Sequence, residues 1–197
     1  MDQWSQCADL EIYFRDVLKW EDFSFVSASS FFAHDKNNMI VLADLDVNTI
    51  LRRLKTYFKV ECDFKEKRFW NFGERIQNSQ QDVVRSSKSY IFAYAGGLNP
   101  DDRHLGKSFK DAVDEKLPFT NLKEYLLVTG FQRWKHGRWM DDERGGFTIT
   151  SSQSDSCPLC CHFSHHYNKL IIMPTTRGGC DGSAGPREVS NVREMFA

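Results

Sequence analysis

The chain has no long hydrophobic run. No stretch approaches the roughly 18 consecutive apolar residues of a membrane span, so no membrane-spanning helix is expected in it. Its start, Met1-Asp2-Gln3-Trp4, lacks the basic residues and apolar core of a secretory signal. The expectation is a chain made and kept in a cytosol. Net charge is nearly absent too: 26 Lys and Arg against 27 Asp and Glu leave −1 at pH 7. That balance argues against broad electrostatic binding to nucleic acid or to an acidic membrane. It also removes colloidal self-repulsion, so the chain is suited to associate with itself. In a cytosol its six cysteines stay mostly reduced, and a disulfide framework is not expected. There is no internal repeat, and 197 residues predict a single domain spanning 1–197.

What the chain does have is aromatic mass and one knot of soft ligands. Sixteen Phe and five Trp supply rigid apolar area. Cys157-Pro158-Leu159-Cys160-Cys161-His162 is followed closely by His165-His166. Thiolate and imidazole are zinc ligands, and Cys-x-x-Cys is the usual first half of a structural zinc site. Cys157, Cys160, His165 and His166 are therefore the candidate metal ligands. A second ligand pair at finger spacing is missing; Cys180 or Cys7 could complete a site only through the fold. The competing reading makes these residues core or interface groups, since free cysteine is among the most buried residue types.

The first 20 residues predict a helix, with Trp4, Cys7, Leu10, Phe14, Val17 and Leu18 on one stripe. This is either an ordinary amphipathic helix packed on its own domain or one that docks on a neighbouring molecule. A hairpin follows, from a strand over 25–33 through a turn at 35–38 into a buried strand over 39–43. Asp46 is placed to cap a helix over 47–58, whose apolar stripe is Ile50, Leu51, Leu54, Tyr57 and Phe58. The span 60–88 reads as irregular with one short element. A strand is predicted over 89–95 and a loop over 96–102. A short helix over 107–116 uses Phe109 and Val113 and ends at Pro118. Strands are expected over 125–129 and 147–150, with a second run from Gly130 that turns at 135–138. A polar linker covers 151–156. A last strand over 167–173 leads to a tail over 175–197 that reads as irregular apart from a helical turn at 188–196. Many short strands with two good helices make the class α+β, a β-sandwich flanked by helices.

Other constellations are weaker. Gly97 and Gly106-Lys107-Ser108 follow the 89–95 strand, but eight residues separate the glycines where a phosphate loop has four. Asp141, Asp142 and Glu143 beside Gly145-Gly146 read as a solvated turn. Cys62 has no neighbouring base in sequence. Cys157-x-x-Cys160, His165-His166, Pro174 and Arg177-Gly178-Gly179 resemble the metal motif of HNH endonucleases. The interval from His166 to Pro174 is too long for it, and the closing Asn and Cys-pair region is absent apart from Asn191.

Taken in order, these elements resemble cypovirus polyhedrins, the proteins that crystallise in infected insect cells as viral occlusion bodies. The resemblance is carried by the hairpin-then-helix from 25 to 58, by Thr129-Gly130-Phe131-Gln132-Arg133-Trp134-Lys135, and by His165-His166-Tyr167-Asn168-Lys169-Leu170. It implies a non-catalytic matrix protein in the cytoplasm of an infected host cell. Its partners would be further copies of itself, as trimers and lattice, and virus particles, with no membrane or specific nucleic acid. It further implies that the N-terminal helix, residues 1–20, cross-links trimers, so Trp4, Cys7, Leu10, Phe14 and Val17 become the expected assembly interface. No cofactor is required; some family lattices hold a nucleotide, and no residue here carries that site over. On this reading His165 and His166 open a core strand. Cys157, Cys160 and Cys161 form an insertion before it that packs or bridges neighbouring molecules. Such crystals must dissolve in an alkaline gut, and Tyr, Cys and Lys titrate there, at about 8.5 to 10.4 in model compounds.

Overall fold

Residue chemistry at the element ends explains much of the architecture. The computed structural model describes residues 3–20, 38–42, 44–64, 76–78, 89–95, 97–98, 101–142, 146–154, 156–176, 178 and 182–194. The first helix, α1, is Gln3–Asp16. Strand β1 (Asn38–Val41) leads to α2 (Val47–Phe58). Asp46 caps α2 as expected, accepting from the Thr49 amide, and Lys59 closes it in the left-handed conformation. Strands β2 (Glu61–Phe64), β3 (Ile76–Asn78) and β4 (Tyr90–Tyr94) follow. The expected strand over 25–33 and most of its turn lie outside the described residues. The described partner of β1 is β4, in antiparallel register with Ile40 opposite Ile91.

Helix α3 (Phe109–Asp114) is short, and Ser108 and Asp111 form its capping box. Phe109 and Ala112 are its buried residues, whereas Val113 is 47% exposed. Helix α4 (Leu122–His136) overturns the expected strand over 125–129 and the run beyond Gly130. Asn121 and Glu124 cap its start reciprocally, and Gly137, at φ 72°, ends it. Leu122 and every residue from Glu124 to Phe131 are buried, so no polar stripe breaks its apolar run.

The C-terminal third is sheet. Strand β5 (Phe147–Ser154) absorbs most of the expected polar linker, and β6 (Cys157–Ser164) contains the whole cysteine cluster. Strand β7 (Lys169–Pro174) pairs antiparallel with β6. The expected irregular tail contains β8 (Ala184–Pro186) and β9 (Val189–Glu194), the latter a strand where a helical turn was expected.

Two sheets result. One has the order β1-β4-β9; the other runs β2-β7-β6-β5-β3, with β8 also paired to β5. Pairing is mostly antiparallel, with β2–β7 and β5–β8 parallel. The class is the expected α+β. Helix α4 touches β1 of the first sheet and β5 of the second, as well as α1 and α2. One hydrophobic cluster accordingly runs from α1 through α2 and α4 into both sheets. A smaller cluster joins Phe109 and Phe119 to Ile149, Cys160 and Ala184 under α3.

Candidate functional site

Strand geometry takes the cysteine knot apart. Successive side chains of a strand point to opposite faces, and three residues along it span roughly 10 Å. Cys157 and Cys160 are three apart on β6, so they face opposite ways and cannot close on one ion. Cys157 is exposed at the strand's start, while Cys160 and Cys161 are buried, one under each face. Cys160 belongs to the smaller cluster and Cys161 to the main one. Burial pushes the Cys161 thiol well above its ordinary range, with Cys160 and Asp141 adding to the effect. That is the reverse of a thiolate ligand. None of Cys62, Cys157, Cys160 and Cys161 forms a disulfide; Cys7 and Cys180 lie outside the described side chains.

His165 and His166 do not open a core strand. They stand in the exposed turn between β6 and β7, which closes with the Asn168 amide donating to the His165 carbonyl at 3.2 Å. Asn168 takes φ 49°, a conformation that asparagine tolerates. Tyr167 beside it is 63% exposed. His165 packs edge-on against Phe163, with its Nε2 3.3 Å from Asp142 Oδ2. His166 packs edge-on against Tyr167.

The expected assembly stripe is also relocated. Leu10, Phe14 and Val17 are buried in the core of their own domain, together with Tyr13 and Leu18. The packed reading of α1 therefore describes them, and contact with a neighbour would require the helix to leave its domain. Trp4 and Cys7 lie in its first turns, and their side chains are outside the described ones. The outward face of α1 carries Ala8, Glu11 and Arg15.

Two polar constellations emerge that the sequence order conceals. The first is structural. Asp141, expected in a solvated turn, is fully buried and pairs with Arg187, whose Nη2 lies 2.9 Å from Oδ1. Thr148 donates to the other carboxylate oxygen at 2.7 Å, and Arg187 Nη1 donates to the carbonyls of Ala95 and Gly97. Arg187 sits between β8 and β9, hence between the two sheets, and ties both to the 95–97 segment. Burial raises the Asp141 carboxyl above the usual range; Arg187, Thr148 and Tyr125 limit the rise. Asp142 is likewise covered, its side chain only 2% exposed.

The second constellation is the candidate site. Asp101, His104 and Glu188 bring one ligand atom each within 4.8 Å of one another. His104 Nε2 lies 3.2 Å from Glu188 Oε2 and 3.9 Å from Asp101 Oδ2. Arg103 spans the two carboxylates, with Nη2 2.8 Å from Asp101 Oδ2 and 3.1 Å from Glu188 Oε2. Burial pushes the Asp101 carboxyl up, but the hydrogen bonds and charge of Arg103, with His104, leave it below its ordinary value.

Backbone contacts fix these side chains in place. The His104 amide donates to the Asp101 carbonyl, and the Gly106 amide to Ala184. A β-carbon on Gly185 would overlap the His104 carbonyl oxygen, so this approach of loop to β8 requires glycine. Glu188 is clamped by the Ala95 amide donating to its carbonyl and by its bridge to Phe119. The sequence shows Asp101-x-x-His104 only as part of a loop; Glu188 is 84 residues away.

Comparison with protein-family models, with curated proteins and with solved structures finds no match.

The residues resembling a phosphate loop are occupied structurally. Ser108 caps α3 with Asp111, and Lys107 pairs with Glu115. Cys62 lies in β2, where burial pushes its thiol up to about 11. An open cleft of about 230 Å³ lies between the end of α1 and α2, lined by Val17, Lys19, Arg52, Arg53, Thr56 and Tyr57. It brings together apolar walls and cations without a carboxylate, imidazole or thiol among its described lining. No helix of the described residues is long and apolar enough to cross a membrane.

Proposed function

We propose that this chain is a self-assembling structural protein similar in role to an occlusion-body matrix. Copies of it pack into crystals around virus particles in the cytoplasm of an infected cell. The observation that carries this choice over a zinc-dependent nuclease is the divergence of Cys157 and Cys160 across β6. The nuclease reading needs those thiols and the His165–His166 pair to converge. His165 instead packs on Phe163 and Asp142 in an exposed turn. Near-zero net charge supports dense packing of copies. The exposed faces available for contacts include Tyr57, Val113 and Tyr167, together with the outer side of α1.

Assembly by this reading uses α1 docked on its own domain and presenting its outer face, since its apolar stripe is committed to the core. Trimers and the embedding of virions belong to the same proposal. The test is fractionation of expressing insect cells. The chain should pellet with dense particles at neutral pH and be released at alkaline pH. Recovery wholly in the clarified supernatant, at high expression, contradicts the proposal.

A further inference from the structure

We propose that Asp101, His104 and Glu188 bind one divalent transition-metal ion of the zinc class, which displaces Arg103 from between the carboxylates. This goes beyond the assembly reading and does not depend on it.

The donor set suits such an ion. Zinc takes imidazole nitrogen and carboxylate oxygen at about 2.0–2.2 Å, so neighbouring donors on one ion stand roughly 3.0–3.5 Å apart. His104 Nε2 and Glu188 Oε2 are already at 3.2 Å, and Asp101 Oδ2 is 3.9 Å from the same nitrogen. The two carboxylates lie within 4.8 Å of each other and would turn inward to close on one ion. The donors also come from two segments locked by backbone contacts, the 101–104 turn and the start of β9's approach, with Gly185 allowing the close fit. Preorganised donors avoid the ordering cost of assembling a site on binding.

Two further observations point to a ligand rather than to a plain loop tie. The first is charge. Asp101 and Glu188 bring two negative charges, and their side chains are only 5% and 29% exposed. Arg103 returns one positive charge through a two-point contact with Asp101, Nε to Oδ1 at 3.0 Å and Nη2 to Oδ2 at 2.8 Å, and its side chain is 60% exposed, so water would solvate the guanidinium once an ion replaced it. A divalent cation balances both carboxylates from within. The second is His104. The residue is 8% exposed, directs Nε2 at both carboxylates, and leaves Nδ1 buried with no hydrogen-bond partner among the described residues. A covered Nε2 between two carboxylates stands where a zinc-class ion takes its nitrogen ligand, and Nδ1 then keeps the proton.

Three protein donors would leave the fourth position of a tetrahedral shell to water. Glu188 follows Arg187 in the chain and Gly185 of β8 meets His104, so an ion there would brace the same junction of the two sheets.

Calorimetric titration of the intact chain with ZnCl₂ alone tests this, with Co²⁺ absorption as a report on donor type. The expected result is one ion per chain and a Co²⁺ spectrum without a thiolate charge-transfer band. His104→Gln and Glu188→Gln should each weaken binding by about 100-fold or abolish it, and Arg103→Ala should tighten it. Arg103 is largely exposed, so that variant keeps the test valid if the other two misfold. No binding by the wild type, a thiolate band in the Co²⁺ spectrum, or weaker binding by Arg103→Ala would each overturn the proposal.

Discussion

The hydroxyl of Tyr13 occupies the space that a β-carbon on Gly130 would fill. From there it donates to the Leu127 carbonyl of the same helix at 3.2 Å. Gly130 thus lets α1 and α4 approach at a point where Leu54 of α2 also presses, 2.6 Å from the same missing carbon. The glycine is a helix-crossing residue and not a strand break.

Gly130→Ala should therefore destabilise the fold, although alanine is the better helix former. Propensity favours the variant by about 1 kcal/mol. Overpacking at a three-helix contact costs about 1–3 kcal/mol and also displaces a buried hydrogen bond. The net loss should appear in urea unfolding and be partly restored by adding Tyr13→Phe. A Gly130→Ala variant more stable than wild type would show that the helices separate there.

The buried pair of Asp141 and Arg187 predicts a non-additive pair of substitutions. Arg187→Met leaves a carboxylate uncompensated in the core and should cost roughly 3–5 kcal/mol. The double variant Asp141→Asn/Arg187→Met should cost clearly less than the sum of the two single changes. Additive losses in a double-mutant cycle would mean that the two side chains do not act as one unit.

The two halves of the Cys-x-x-Cys motif should behave differently. Cys157 is exposed, so Cys157→Ser should change stability by less than about 0.5 kcal/mol. Cys160 is 4% exposed, and a serine hydroxyl placed there should cost about 1–3 kcal/mol. A shared metal would make the two losses equal and would make either serine variant lose a chelator sensitivity that the wild type shows. Equal losses, with chelator sensitivity abolished by either serine substitution, would restore the zinc reading of this motif.

Alkaline behaviour follows from burial. Tyr13, Tyr125 and Cys161 are pushed upward chiefly by burial, and Cys62 to about 11. For each, the folded state holds its proton more tightly than the unfolded chain. Their stabilisation is complete below the unfolded values, about 8.5 for thiols and about 10 for tyrosine, and declines as pH rises beyond them. Lys123 acts in the opposite sense. Burial depresses it to about 8 against the pull of Asp44, Asp46 and Glu124. Between that value and about 10.4 the unfolded chain binds the extra proton, so this residue adds stability as pH rises through the window. Thermal melts should hold or rise from pH 8 to about 9 and then fall, with the Tyr13 and Tyr125 phenols ionising only on unfolding. This narrows the alkaline switch expected from composition, because these buried groups cannot charge at intact contacts. Tyrosines that all titrate before the unfolding transition would contradict the account.

Local signals made part of the fold legible. Asp46 with the stripe Ile50, Leu51 and Leu54 specifies α2, since cap and periodicity agree within 12 residues. Strand β4 reads directly from its apolar run. Helix α4 did not, because burial on all sides erased its period and left Leu126-Leu127-Val128-Thr129 looking like a strand. The capping box of Asn121 and Glu124 and the closing Gly137 were the signals that could have found it. Strand β9 is set by pairing with β4, about a hundred residues earlier, and no local pattern encodes that. Metal-ligand chemistry drew attention to Cys157–His166, where the thiols are strand residues. The donors that do converge, His104 and Glu188, are separated by 84 residues and become neighbours only through the loop packed on β8.

The most direct test of the structural role is X-ray powder diffraction from intact insect cells expressing the full chain. The account predicts sharp rings from intracellular crystals at neutral pH, lost when the cells are lysed into strongly alkaline buffer. Abundant expression with only diffuse scatter, the chain sedimenting as a monomer, would contradict it.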